Sequence, residues 1–147
     1  MKIAPFSPRK RSPRTALAVL VMSTACVTTT TRFFLPSPAN PTYTTRQAEE
    51  ALSQYVRLQC APRAEAQRPD SGSAEFLVEV DSAGAATRAE LRRSSQDDVL
   101  DGIFGTVAAQ LTFPRDSAAR RATREAVSVD FRCAGDSATV RVVAGGR

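Results

Sequence analysis

The stretch from Ala74 to Arg93 constrains the fold more than any other part of this chain. Phe76, Val78 and Val80 alternate with Leu77, Glu79 and Asp81. In an extended chain successive side chains point to opposite faces, so this alternation sets an apolar face against a mostly acidic one. The β-branched and aromatic content suits a strand. Ser82-Ala83-Gly84 is a short connection, with a glycine free to take positive φ. Ala85–Arg93 alternates again, with Thr87, Ala89 and Leu91 against Arg88, Glu90 and Arg92. The pair predicts a β-hairpin with one wet face. Two strands do not hold alone in water, so the apolar face needs a cover from elsewhere in the chain.

Two amphipathic stretches flank the hairpin. In Arg46–Gln59, Ala51, Leu52, Tyr55 and Val56 recur at helical spacing without Gly or Pro. Thr44 or Thr45 is placed to cap that helix, and Pro62 and Pro69 bound its end. Downstream, Ser94–Asp98 is a helix-start signal: Ser95 followed by Asp98 approximates a capping box. Val99, Leu100, Ile103, Phe104, Val107 and Leu111 then share a helical face, and Phe113-Pro114 stops the run. Gly102 and Gly105 weaken this helix by about 1 kcal/mol each relative to Ala, and would let it lie close on the sheet.

Arg115–Arg124 reads as a polar loop; its Arg120, Arg121 and Arg124 are taken as solvated rather than as a phosphate site. Glu125–Cys133 is a third strand, Gly135-Asp136 a turn, and Ala138–Val143 a fourth strand. The expected class is α+β: a small antiparallel sheet of three to four strands packed by one helix, with a preceding N-terminal helix, in the order α-β-β-α-β.

The formal charge of +5 is unevenly placed. Lys2, Arg9, Lys10, Arg11 and Arg14 lie in residues 1–25, which hold no acid. Setting those five aside leaves 15 bases against 15 acids. The surplus charge that phosphate binding needs is therefore missing from the rest of the chain, and nucleic acid is not an expected partner. Residues 1–14 are basic, Ala16–Met22 is apolar, and Ser23-Thr24-Ala25 are small. That is the layout of a secretory signal, and the apolar run is too short to span a bilayer. The expected organisation is a signal peptide over 1–25, a linker over 26–44 and a domain over 45–144. Cleavage after Ala25 suits ordinary signal peptidase. It also suits lipoprotein processing, with Cys26 as the lipidated first residue, although Ser23 stands where a lipobox prefers Leu. Retained, the segment would serve as an inner-membrane anchor. The expected location is the periplasm, free or attached by a lipid at Cys26.

If Cys26 is lipidated or lost, Cys60 and Cys133 remain as an even pair in an oxidising compartment. As a disulfide they would close a loop worth roughly 4 kcal/mol in the chain-entropy model; otherwise they are two unpaired thiols. The sequence has no His, so Ser–His–Asp and Cys–His catalytic sets cannot be built from it, nor can His-ligated zinc. Ser94 and Ser95 have no base beside them, and Asp97, Asp98 and Asp101 read as helix-capping acids rather than a metal or acid–base cluster. No cofactor motif is present, and no enzymatic activity is expected.

The order of these elements resembles the TonB carboxy-terminal family. The matching pieces are Ala74–Gly84, a strand ending in Asp-x-x-Gly; Ala89–Ser95, a second strand ending in Ser-Ser; Val99-Leu100-Asp101; Phe113-Pro114; and the alternating Val127–Phe131. Together they cover roughly residues 62–133. The resemblance implies a domain that accepts a short segment of an outer-membrane transporter, or of another envelope protein, as an added strand. Carried onto this chain, the docking edge is Ala126, Val127, Ser128, Val129, Asp130 and Phe131; a homodimer is a further possible partnership. Two alternatives stand beside this: a structural envelope lipoprotein with no peptide-binding role, and a shortened energy transducer anchored in the inner membrane.

Overall fold

A computed structural model describes residues 31–40, 42–114 and 122–145. The expected signal peptide, Cys26, Arg120 and Arg121 lie outside the described residues. In chain order the elements are β1 (Phe33–Phe34), α1 (Thr45–Glu65), β2 (Ser71–Val80), β3 (Ala86–Arg93), α2 (Asp98–Ala108), β4 (Thr123–Ala134) and β5 (Ser137–Ala144). The strands form one antiparallel sheet in the order β1-β3-β2-β4-β5. The class is α+β, as the periodicities predict, with a fifth strand and with two helices on the sheet instead of one.

The hairpin forms where the alternation places it. Asp81 accepts the amides of Ala83 and Ala85 through its carboxylate, and Gly84 takes φ 87°. Ala74, Phe76, Val78 and Val80 are buried on one face of β2. The β2–β3 register shifts twice, once at Glu75/Phe76 and once nearer the turn. The shift at Glu79/Val80 leaves Ala86 and Ala89 buried while Thr87 is exposed. Thr87 is the extra residue of a β-bulge, and its hydroxyl donates to the Glu79 carbonyl.

Val127, Val129 and Phe131 of β4 and Val140 and Val142 of β5 extend the apolar face. Ala48, Leu52 and Val56 of α1 and Leu100, Phe104 and Ala108 of α2 cover it. Each large side chain so buried contributes roughly 1.5–3 kcal/mol. The opposite face is wet, with ion pairs Arg93–Glu75 at 2.5 Å and Arg124–Glu79 at 3.2 Å.

Of the two candidate caps for α1 the structure uses Thr44, in a reciprocal capping box with Gln47, and two other local expectations change. The helix then runs through Pro62 to Glu65, because the Cys60–Cys133 disulfide and a buried Arg63–Asp97 ion pair hold its last turns in place. The cap of α2 is Asp97, which accepts the amides of Val99 and Leu100. Ser95 is not that cap: its amide donates to Asp101, a carboxylate with no exposed surface, which Ser94 Oγ also reaches at 2.5 Å. A carboxylate adjacent to the first turn outcompetes a hydroxyl two residues further back.

Candidate functional site: the two edges of the sheet

A sheet takes up another chain only where a row of backbone amides and carbonyls is unpaired. The expected docking residues, Ala126–Phe131, do not form such a row. Val127–Phe131 pair with Gly72–Phe76 of β2 on one side and with Val140–Ala144 of β5 on the other. Ala126 pairs with Leu77, and its carbonyl accepts the Gly145 amide at 3.0 Å. Gly135, at φ 57°, turns the chain so that Ser137–Ala144 folds back onto β4. β4 is thus an interior strand, with Val127, Val129 and Phe131 in the core.

The outer edge of β5 is covered by α1. Glu49 Oε1 accepts the Val142 amide at 2.9 Å, and Ser53 Oγ accepts the Val140 amide at 3.2 Å. Helix side chains here take the place of a neighbouring strand.

The other edge belongs to β3, and two extended segments lie along it. At its start the Ala86 amide donates to the Leu111 carbonyl, and Ala85 bridges Thr112. Towards its end Phe33 pairs with Glu90, Phe34 pairs with Ala89, and the Leu91 amide donates to the Arg32 carbonyl at 3.0 Å. These residues fall in the stretch expected to be linker, and they supply β1. Alternation sends the two rings to opposite faces. Phe34 turns inward and meets Phe76 edge-on, with centroids 6.0 Å apart and planes at 77°. Its ring lies directly on Gly105 of α2, where a Cβ would collide with it. Phe33 turns outward, 48% exposed, with the Arg88 guanidinium 3.7 Å above its ring. Arg32 pairs with Asp98 in the first turn of α2 at 2.9 Å.

Magnitudes separate the two edges. Phe34 is partly buried and contributes at most roughly 1.5–3 kcal/mol, the range for full burial. The Leu91 amide bond adds roughly 0.5–1.5 kcal/mol. The exposed Arg32–Asp98 pair adds roughly 0–1 kcal/mol, and the Arg88–Phe33 stack roughly 0.5–1 kcal/mol. Ordering three backbone residues costs roughly 3–6 kcal/mol. Gain and cost nearly cancel, so β1 is weakly held. β5 pairs with β4 from Ser137 to Ala144, buries Val140 and Val142, and is bonded to α1 besides. Of the two edges, that of β3 is the less firmly covered.

Ion pairs join the start of α2 to the end of α1. Arg63 reaches the Asp97 carboxylate, donates to the Pro69 carbonyl at 2.7 Å and lies 4.8 Å from the Phe131 ring centroid. Arg68 joins Asp97 at 3.0 Å. Burial pushes the Asp97 carboxyl up. The amide of Leu100, Arg68, Arg63 and the amide of Val99 together outweigh it and hold the group below the ordinary carboxylate range. Cys60 and Cys133 form a disulfide that ties α1 to the end of β4. The spacing Phe33-Phe34 in an otherwise polar stretch and the glycine inside an apolar helix face were the available signals for the β3 edge. Nothing in the sequence marks Arg63.

Among the described residues no helix is long and apolar enough to cross a membrane, and no group of three or more His, Cys, Asp or Glu is placed to hold a metal ion. The described residues form an α+β domain of five antiparallel strands and two helices, with the two-residue β1 on one sheet edge. No family model, no curated protein and no solved structure matches the chain.

Proposed function

We propose that this chain is an exported cell-envelope binding module with a TonB carboxy-terminal-like domain, which holds an extended peptide of a partner protein by strand addition at the β3 edge. The observation that carries the reading is the pairing of Phe33 and Phe34 with Glu90 and Ala89: a short extended segment already sits there as an added strand. Main-chain hydrogen bonds supply much of the affinity in this mode of recognition, and neighbouring pockets supply the selectivity. The basic and apolar start of the chain and the Cys60–Cys133 disulfide support export to an oxidising compartment. An outer-membrane transporter is the partner that the family resemblance favours, and the module needs no catalytic group for this role.

Amide exchange of the whole chain tests the reading. The probes are synthetic peptides spanning the periplasm-facing N-terminal segments of outer-membrane transporters. Binding is expected to slow exchange within residues 88–92 and leave 126–131 unchanged. Unchanged exchange at 88–92 with every peptide rejects strand addition at this edge.

A further inference from the structure

Resting on the strand-addition reading, we propose that the β3 edge selects an extended segment of the pattern Arg-x-Phe, and that Arg32–Phe34 is the chain's own resident copy of that ligand. The resident segment holds the edge until a partner segment with the same chemistry displaces it.

Each position of the pattern has its own recognition element. The aromatic position faces a seat made by Phe76 and by the missing side chain of Gly105. Glycine inside a helix is unfavourable, yet here it leaves the room that the ring of Phe34 takes. Gly102, one turn earlier in the same helix, has nothing within 4 Å of a built Cβ, so closeness to the sheet is specific to position 105. The cation position faces Asp98, which pairs with Arg32 at 2.9 Å and whose side chain is 79% exposed, open to an incoming guanidinium that displaces Arg32. The middle position points to the wet face, where Phe33 touches Arg88 and remains half exposed. About half of that ring stays in solvent, so the position is written x.

The resident segment is built to compete rather than to seal. It pairs over two residues, and Leu35, the next residue, is already 69% exposed. β3 runs on to Arg93, beyond the reach of that short pairing. A partner segment that pairs along Arg88–Arg93 gains backbone bonds beyond the Phe33 and Phe34 pairing seen among the described residues. The resident's advantage is its tether, which gives it an effective concentration on the order of millimolar.

The test uses the whole chain and a fluorescein-labelled peptide with the sequence of residues 31–36, read by fluorescence polarisation. Phe34→Ala removes the resident ring and is expected to bind the peptide at least about 10-fold more tightly than the unaltered chain, a shift well within the range that competition can produce. Adding Gly105→Ala to Phe34→Ala fills the seat and is expected to reverse that gain. A peptide with its second phenylalanine replaced by alanine is expected to bind at least about 10-fold more weakly. Phe34→Leu is the milder variant, expected to fall between the unaltered chain and Phe34→Ala, and it carries the comparison if Phe34→Ala fails to fold. Equal binding by the unaltered chain and the released variants overturns the resident-ligand proposal. Equal binding of the alanine peptide overturns the aromatic key while strand addition stands. Unchanged exchange at residues 88–92 with all peptides, transporter segments included, removes both. A dimer of the unaltered chain that disappears in Phe34→Ala, seen by light scattering, assigns the edge to a second copy and overturns the partner proposal.

Discussion

The Arg63 guanidinium is bonded to the Asp97 carboxylate where the end of α1 meets the start of α2, and both side chains are only 4% exposed. Removing one partner of a buried pair strands the other charge. Asp97→Asn keeps an oxygen for the amides of Val99 and Leu100, so it isolates the charge. We expect a loss of about 3 kcal/mol in urea unfolding at pH 7. The pH dependence follows from the lowered carboxyl of Asp97. Its stabilisation is complete above the unfolded-state value of about 3.9 and is lost as pH falls through the lower folded-state value. The gap between the two proteins should therefore close in acid; a gap of constant size from pH 7 to pH 2 contradicts this account.

The two glycines of α2 should respond to alanine with opposite signs. Gly102→Ala meets open space and should stabilise by about 0.5–1 kcal/mol through helix propensity. Gly105→Ala drives a methyl into the Phe34 ring, so its helix-propensity gain is offset by the loss of β1 packing, for a net loss of about 1 kcal/mol. Thermal unfolding of the two variants side by side decides it, and equal shifts would rule out the ring seat.

Cutting the disulfide should cost several times more than either glycine change. Cys60 and Cys133 are 73 residues apart in sequence, and a loop of that size is worth about 4 kcal/mol in the chain-entropy model. Urea midpoints with and without reductant measure the difference. Cys60→Ser should reproduce the reduced protein and then be insensitive to reductant.

Glu49 and Ser53 guard the β5 edge by accepting its outward amides. Removing both with Glu49→Ala and Ser53→Ala leaves two part-buried donors without those acceptors, at about 1 kcal/mol each. The variant should also self-associate, because an uncovered edge invites pairing between chains. Light scattering against concentration is the measurement. A strictly monomeric variant of unchanged stability would show that α1 covers the edge by packing alone.

Which elements form was legible in the residues themselves. The alternation of Phe76, Val78 and Val80, the Asp81–Gly84 turn, the helical spacing around Leu52 and Val56, and the fourth strand at Ala138–Val143 all express local periodicity, and local periodicity is set by backbone geometry. The even pair of cysteines likewise pointed to Cys60–Cys133. Which strand lies at an edge was decided only in three dimensions. Ala126–Phe131 carries the same alternating pattern whether its outer side is bare or paired, because side chains report the faces of a sheet and not the direction of its amides. Phe34 was unreadable for the same reason: its place depends on an absent side chain at Gly105, seventy-one residues away, and a gap in one helix has meaning only once another segment is there to fill it.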